Sequence, residues 1–278
     1  MKSILMLTPD DYLKAAAVHC RKYNSQFPNF LMSGYWMGAN GYLVEATRRQ
    51  DGRPVIQVLD PTDGTQVLPA IYTDDYSADK GPCEAGFATE NSVECQWDRQ
   101  YVYLPSLILD GWQGGQFRGR RKALSLALRN LGADLSDCRM VDWDLERDGM
   151  AAESYLADWA AGKGDGVFDP ELLVDSVMGE LPGESASRFT LLVKGHPMGM
   201  VVLDRGIPGW VNFRYCLVAP NLPGLSELCR MMTWQTIAQR LPEVRFINDG
   251  GCLDSPGLEQ FKDKLCPAYK LFVPTTKE

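Results

Sequence analysis

The most concentrated basic segment of the chain is FRGRRK at residues 117–122, in a protein whose formal net charge is −8. Its charged side chains are those of Arg118, Arg120, Arg121 and Lys122. Arginine binds phosphate through paired hydrogen bonds, so the segment is a candidate binding site for a phosphorylated donor or for one end of an RNA. Arginines at a helix start oppose the helix dipole, so local stability explains them poorly. A solvated helix face paired with acidic residues is the structural alternative.

Residues that could act as a general base are scarce. The chain has two histidines, His19 and His196. His196 stands in the turn-like sequence KGHP, and we expect both histidines to be structural or solvated. No cysteine or serine stands in a motif that supplies a base, so nucleophilic catalysis lacks support. Asp204, Tyr215 and Glu227 are weaker candidates for deprotonating an amine.

The cysteines are too widely spaced to indicate a metal or redox site. They stand at Cys20, Cys83, Cys95, Cys138, Cys216, Cys229, Cys252 and Cys266. No pair has the close spacing of a zinc knuckle or a redox motif, and histidine ligands are few. We therefore expect no metal site and free thiols in a reducing compartment.

The composition is that of a globular protein, with 45% hydrophobic and 23% charged residues among 278. No apolar run approaches the roughly 20 residues that span a bilayer. The opening sequence MKSILMLTP has no cleavage site and predicts a first strand, so we expect a cytoplasmic protein without membrane insertion. The negative net charge argues against general nucleic-acid binding, but a local basic patch can still grip one RNA end.

The elements that must position these residues follow from local patterns. In the first part we predict a helix over 9–23, strands at 42–47 and 55–58, a turn at 60–65, an irregular loop over 72–92, a strand at 101–104, a helix over 117–129 and a strand at 138–143. In the second part we predict helices over 150–161 and 170–178, strands at 189–194, 198–203 and 209–218, a helix over 225–240, a strand at 244–248, a helix over 257–264 and a strand at 269–273. This order is typical of an α+β layered fold.

Three segments carry a resemblance to a known fold: residues 117–122, residues 213–224 and residues 248–267. They resemble an aromatic-basic helix opening, a central strand running into a glycine turn, and a closing Asn…Gly-Leu-x-x-x-Lys…Pro stretch. Together they resemble the Gcn5-related N-acetyltransferase (GNAT) fold, and more narrowly the C-terminal group of lysyl-phosphatidylglycerol synthases. Those proteins duplicate the fold, and some of them take an aminoacyl group from a charged tRNA, as do the related Fem peptidyltransferases.

The resemblance implies an α+β, duplicated acyltransferase (GNAT-like) fold with two mixed sheets flanked by helices. It divides the chain into a divergent N-terminal GNAT-like domain over 1–145 and a C-terminal one over 146–278. It covers the chain from about residue 117 onward, whereas the first hundred residues match no family we can name. In this fold two strands part beside the helix that follows the central strand, and the acyl carrier enters the gap.

The resemblance also implies roles for single residues. Gly224 would let the backbone approach a phosphate at a helix N-terminus, although a plain strand-to-helix turn explains it as well. Lys262 would stabilise the oxyanion of an attacked ester, and Phe261 would stack on a terminal base. Asn248 would orient the acceptor; the role of Tyr215 in deprotonation, suggested above from the residue type, is not implied by the resemblance. An exposed helical lysine and a turn-capping asparagine are the structural alternatives.

The sequence departs from the group's pattern at several positions. Arg214 and Tyr215 replace an acid and a lysine, Pro223 and Ser226 replace a basic and a small residue, and Asp249-Gly250 replaces a basic-acidic pair. Three functions therefore stay open. The first is transfer of an aminoacyl group from a charged tRNA to a small-molecule or peptide amine. The second is acyl-coenzyme A-dependent N-acyl transfer, and the third is a non-catalytic binding role. In the first two the donor is a substrate, so no cofactor is bound permanently.

Overall fold

The structure of the protein is a computed structural model. The described residues are 5–9, 12–13, 16, 37, 41–48, 54–64, 66–72, 96–107, 112–163, 170–179, 186–206, 209–252 and 255–275. Most of the predicted helix over 9–23 and nearly all of the predicted loop over 72–92 lie outside these ranges. The same holds for His19, Cys20, Cys83 and Cys95.

A small antiparallel sheet forms the N-terminal part. Its strands, in spatial order, are β1 (Leu5–Leu7), β2 (Leu43–Arg48), β3 (Pro54–Leu59) and β4 (Gln66–Tyr72). The first three agree with the sequence prediction, and β4 was not predicted. Pro69 lies within β4, and proline argues against a central strand because it cannot donate to the ladder. The strand is tolerated because β4 stands at the edge of this sheet.

The second sheet is larger and mixed. Its spatial order is β11 (Tyr269–Thr275), β5 (Gln96–Tyr103), β10 (Phe246–Asn248), β9 (Trp210–Val218), β8 (His196–Arg205), β7 (Ala186–Val193) and β6 (Cys138–Asp142). All neighbours are antiparallel except β9 and β10, which are parallel. The predicted α+β class with two sheets flanked by helices is thereby confirmed. Both sheets were expected to be mixed, but among the described strands parallel pairing occurs in the larger sheet and the smaller sheet is antiparallel.

Helices cover both faces of the larger sheet. They are α1 (Arg118–Leu131), α2 (Leu145–Lys163), α3 (Pro170–Met178), α4 (Leu225–Arg240) and α5 (Pro256–Lys264). Along β8, Val201 and Leu203 enter the core formed with α1 and α4, while Met200 and Val202 enter the core formed with α2 and α3. Side chains alternate between the faces of a strand, so a strand covered on both sides is apolar throughout.

Two predicted boundaries differ from the structure. The predicted domain boundary at 145/146 does not follow the sheets, because β5 and β6 from the first part join the sheet of the second part; the division into two GNAT-like domains stays a prediction. Helix α2 begins at Leu145 and not near Met150. Asp144 explains the earlier start, since its carboxylate accepts a hydrogen bond from Arg147 N at 2.8 Å and so caps the helix.

Gly224 sits where α1 crosses the start of α4. Its φ of 87° lies in the left-handed region, and a Cβ added there would lie 2.0 Å from the carbonyl oxygen of Ala123 and 3.2 Å from the Cβ of Ala127. The backbone of α1 therefore occupies the side of Gly224 that lacks a side chain. This glycine is required for the close packing of α1 on α4.

We expect Gly224→Ala to lower the free energy of unfolding by about 2–4 kcal/mol, because it adds a steric clash with α1 to an unfavourable φ. Urea denaturation monitored by circular dichroism measures the change. Gly119→Ala is the matched control, since Gly119 lies in α1 with open space around it and alanine favours a helix by up to about 1 kcal/mol. Equal stability of Gly224→Ala and wild type would contradict the packing of α1 on α4.

Candidate active site

The candidate site lies where β9 and β10 part. These strands pair from Trp210 with Phe246 as far as Asn212 with Asn248. The chain then turns to β5, where Asp249 N donates to the carbonyl of Tyr101 at 2.8 Å. Strand β9 continues to Val218. A gap therefore opens beside the second half of β9, as the resemblance implies for the acyl carrier.

A bulge on β9 lies at the mouth of this gap. Val202 pairs with Tyr215 and Leu203 pairs with Phe213, so Arg214 is an extra residue on β9. Bulges bend a strand and change the direction of its side chains. Phe213 enters the core beneath α4, whereas Tyr215 packs against the opposite core, formed with α2 and α3. The structure therefore does not bring Tyr215 to the face of the sheet that carries the other candidates.

A buried charged side chain, that of Arg230 on α4, lies beside the second half of β9. It is 6% exposed, and its guanidinium carbon lies 4.6 Å from the centre of the Phe213 ring and 5.2 Å from that of Phe261. Its Nη2 lies 3.3 Å from a carboxylate oxygen of Asp249. Burial lowers the pKa of Arg230, but the Asp249 carboxylate and neighbouring acidic groups outweigh it and raise the pKa above the ordinary value. The group therefore keeps its charge in an apolar setting.

Lys262 lies next to the pair formed by Arg230 and Asp249, and its ammonium group is already hydrogen-bonded. It is 4% exposed, so the alternative of an exposed helical lysine is wrong. Its Nζ donates to the carbonyls of Asp249, Gly250 and Gly251, the last at 2.7 Å. An ammonium has three protons, and these carbonyls accept them. Lys262 therefore holds the loop that follows β10, and a direct bond to an oxyanion stays a prediction that this geometry does not favour.

Asn248 is tied into the same loop. Its Nδ2 donates to Gln100 Oε1 at 3.0 Å, and its Oδ1 accepts from Gly250 N at 2.9 Å. The side chain is fully buried. The turn-capping interpretation is confirmed, and orientation of an acceptor by Asn248 stays a prediction.

Two cysteines line the side of the gap nearest α4. Cys216 on β9 is partly buried, and Cys229 on α4 is fully buried. A hydrogen bond from Cys229 lowers the pKa of the Cys216 thiol, against the effect of burial, and Arg230 adds to this. The same contact and burial raise the pKa of Cys229 well above its ordinary value. Both are free thiols, as are Cys138, Cys252 and Cys266.

The basic segment at the start of α1 divides into two pairs. Arg120 is buried, and it donates to Glu227 at 2.5 Å, to the carbonyl of Phe261 at 2.9 Å and to that of Lys264 at 3.1 Å. Arg121 donates to the carbonyls of Trp112 and Gly114. These two arginines hold the structure together, so the expectation that both bind a donor is not supported by their contacts.

Arg118 and Lys122 form the second pair. Both are exposed, and neither has a hydrogen bond or an ion pair with the described residues. They stand four positions apart on α1, so they share one face of the helix. These are the two members of the cluster that remain available to a ligand, and they define the exposed basic pair.

One side of the start of α4 is covered by α1. Ala123 of α1 lies against Gly224, and Glu227 in the first turn of α4 binds Arg120. An acidic side chain in the first turn already interacts with the positive end of the helix. The backbone of α1 therefore covers the Cβ side of Gly224, and the approach of a phosphate to the backbone there stays a prediction.

The weaker base candidates are also paired. Glu227 binds Arg120, and Asp204 forms a buried ion pair with Arg214 while accepting from Asn212 Nδ2 at 2.7 Å. His196 is exposed at the β7–β8 hairpin, as predicted. The described part of the chain contains no cluster of potential metal ligands and no helix able to cross a membrane.

Sequence reasoning missed Arg230 and Asp249 as a pair. A signal was present, because Arg230 is a single charge within LCRMMTW, an otherwise apolar stretch of α4. A charge in such a stretch indicates a buried partner. The partner itself comes from a different element, 19 positions further along the chain.

The architecture and the parted strands define a GNAT-like fold of the Fem and lysyl-phosphatidylglycerol-synthase type, which confirms the resemblance at the level of fold. Among solved structures, a conserved protein of unknown function from Bacteroides thetaiotaomicron matches with a TM-score of 0.66 and 14% identity over 98% of both chains. FemX matches with a TM-score of 0.54 and 12% identity over 94% of this chain and 93% of that one.

A third solved structure has the same fold. It is the C-terminal domain of a protein named as a lysylphosphatidylglycerol synthetase, from Agrobacterium fabrum. It matches with a TM-score of 0.52 and 12% identity, over 96% of this chain and 91% of that domain. The chain matches no protein-family model and no curated protein sequence. These likenesses establish the fold.

We expect Arg120→Ala to lower the free energy of unfolding by about 3 kcal/mol, because it leaves the partly buried Glu227 carboxylate without its partner. The matched control is Arg118→Ala on the same helix turn, which should change stability by less than about 0.5 kcal/mol. Urea denaturation of both variants measures the difference. Similar losses for the two variants would contradict the division of the cluster into a buried and an exposed pair.

Proposed function

We propose that this protein is an acyltransferase that moves an aminoacyl group from a charged tRNA to the amine of a small molecule or peptide. The observation that carries the proposal is the arrangement at the start of α1 and α4. Ala123 fills the space beside Gly224, which speaks against a coenzyme A diphosphate there, while Arg118 and Lys122 stay exposed and unpaired among the described residues. Shared architecture with FemX and the synthetase domain supports the same reaction class.

The proposed reaction is aminolysis of an ester. The acceptor nitrogen bonds to the carbonyl carbon of the aminoacyl ester, and an electron pair moves to the carbonyl oxygen. The tetrahedral intermediate then expels the ribose oxygen of the tRNA, which takes the proton that the amine loses. An amine that arrives neutral can react without a strong base, so the scarcity of free histidine and carboxylate groups is compatible with this step.

In this proposal the C-terminal segment that follows β10 positions the site. Lys262 keeps the carbonyls of residues 249–251 in place, and Asn248 fixes the same turn. Phe261 is partly exposed, and the guanidinium of Arg120 lies 4.7 Å from the centre of its ring. We assign Phe261 the contact with the terminal base. Tyr215 faces the other core and has a supporting role at most.

One assay tests the donor without knowledge of the acceptor. Hydroxylamine is a small, reactive amine, and its acyl transfer product is a hydroxamate that can be quantified. The protein is incubated with hydroxylamine and either aminoacyl-tRNA or acetyl-coenzyme A. We expect enzyme-dependent hydroxamate from aminoacyl-tRNA. Product from acetyl-coenzyme A alone would replace the proposal with acyl-coenzyme A-dependent transfer, and product from neither would favour a non-catalytic binding role.

We expect the double variant Arg118→Ala/Lys122→Ala to bind tRNA more weakly, by about 1–3 kcal/mol for each lost charge-assisted contact. The slope of log affinity against log salt should fall by about 0.7 for each lost phosphate contact to a single strand. Filter binding at several salt concentrations measures both quantities. Arg129→Ala, an exposed arginine in the last turn of α1, is the control. Unchanged affinity and slope in the double variant would remove the exposed basic pair from the tRNA site.

We expect Lys262→Met to lower turnover and stability together, the latter by about 2–4 kcal/mol, because the carbonyls of residues 249–251 lose their buried donor. A direct oxyanion donor would instead lower turnover by about 10²–10³ while stability stays near wild type. Hydroxamate rates and urea denaturation of the same variant separate these outcomes. Wild-type turnover in a destabilised Lys262→Met would contradict any role of this loop in the site.

A further inference from the structure

Several N–H donors in the gap between β9 and β10 have no acceptor. Arg230 Nε and Nη1 are buried and make no hydrogen bond with any described residue. A guanidinium has five N–H donors, and only Nη2 has a partner, the carboxylate of Asp249 at 3.3 Å. Most donors of this charged group are therefore unused, although buried donors are nearly always bonded in folded proteins.

A second group beside it has the same property. Trp234 stands four positions after Arg230 on α4, so the two side chains share a face of the helix. Its indole Nε1 is buried without an acceptor, and so is that of Trp112, whose ring lies 6.4 Å from the Trp234 ring edge-to-face. Both tryptophans are fully buried. Three side chains in this region, Arg230, Trp234 and Trp112, thus have buried N–H groups without an acceptor among the described residues.

The location of Arg230 fits a reacting group. The guanidinium lies between the rings of Phe213 and Phe261, and Phe261 and Cys216 beside it are partly exposed. The charge is thus one side chain below the surface of the gap. The partly exposed Phe261 and Cys216 therefore mark the side from which a carbonyl group would approach Arg230.

The geometry points to Arg230 as the catalytic residue that binds the donor carbonyl oxygen and stabilises the negative charge that develops on it when the amine attacks. This inference rests on the proposed acyl transfer and deepens it, because it assigns the oxyanion contact to Arg230 and leaves Lys262 as a positioning residue. A fixed cation in a dry site stabilises such a charge strongly, since it needs no reorganisation during the reaction. The unpaired N–H groups supply the hydrogen bonds, and the Asp249 carboxylate holds the guanidinium in orientation.

The test uses Arg230→Met and Arg230→Lys in the hydroxylamine assay with aminoacyl-tRNA. We expect Arg230→Met to lower kcat by about 10²–10³ with little change in the KM for tRNA, since the contact strengthens only in the transition state. Arg230→Lys keeps the charge with a different reach and should lie between this variant and wild type. Arg240→Met is the matched control on the same helix, because Arg240 is exposed and pairs with the exposed Asp142.

The outcomes are separable from folding defects. A purely structural Arg230 would lower the thermal midpoint of the variants but leave kcat near wild type in the folded fraction, and that result overturns the inference. Should Arg230→Met fail to fold, Arg230→Lys decides, because wild-type kcat in that variant also overturns it.

A second measurement separates failure of this inference from failure of the proposed function. Formate, the smallest carboxylate, is titrated while tryptophan fluorescence reports on Trp234 and Trp112. We expect a saturable change in wild type and in Arg240→Met, and none in Arg230→Gln. Should wild type transfer no acyl group, this titration decides alone: a response absent from wild type, or equal in Arg230→Gln, removes the anion site.

Discussion

The guanidinium of Arg120 joins α1 to two other helices, and the site depends on this junction. One of its nitrogens binds Glu227 in the first turn of α4, and the others bind carbonyls of Phe261 and Lys264 in α5. A buried cation is tolerated only with such partners, because removal of its hydration is costly. The junction brings α1 against Gly224, fixes Phe261 beside the gap, and leaves Arg118 and Lys122 on the outside. The packing of α1 beside Gly224 and the exposure of the basic pair therefore have one cause.

Behind this junction the gap is organised by charge in an apolar environment. Arg230 is attracted to Asp249, and Lys262 fixes the loop that carries Asp249 by binding its backbone. Coulombic attraction is stronger in a low-dielectric interior than in water, so these groups hold one another firmly. The aromatic rings of Phe213 and Phe261 exclude water from the guanidinium. The resulting site is preorganised, which is the property that electrostatic catalysis requires.

The order of elements after residue 117 could be predicted from the sequence, because amphipathic helices and apolar strands have local patterns. Residue roles were harder to predict. Helical spacing separates Arg118 and Lys122 from Arg120, but the burial of Arg120 depends on Glu227 and Phe261, more than 100 positions away. Lys262 was recognised by resemblance. Its hydrogen bonds could not be predicted, because they depend on the conformation of residues 249–251. Strand β4 was not predicted, and Pro69 within it is compatible with a strand only at a sheet edge.

The position of β5 in the larger sheet has a consequence for the way the chain assembles. This early strand lies between β10 and β11, which come from the end of the chain, and Val102 pairs with both Asn248 and Tyr269. During synthesis the ribosome releases β5 long before its neighbours exist. Formation of this part of the sheet must therefore wait for β10 and β11, and loop-closure entropy over such separations slows folding. This part of the sheet is thus completed only after β10 and β11 have been synthesised, so β5 cannot take its place between them earlier.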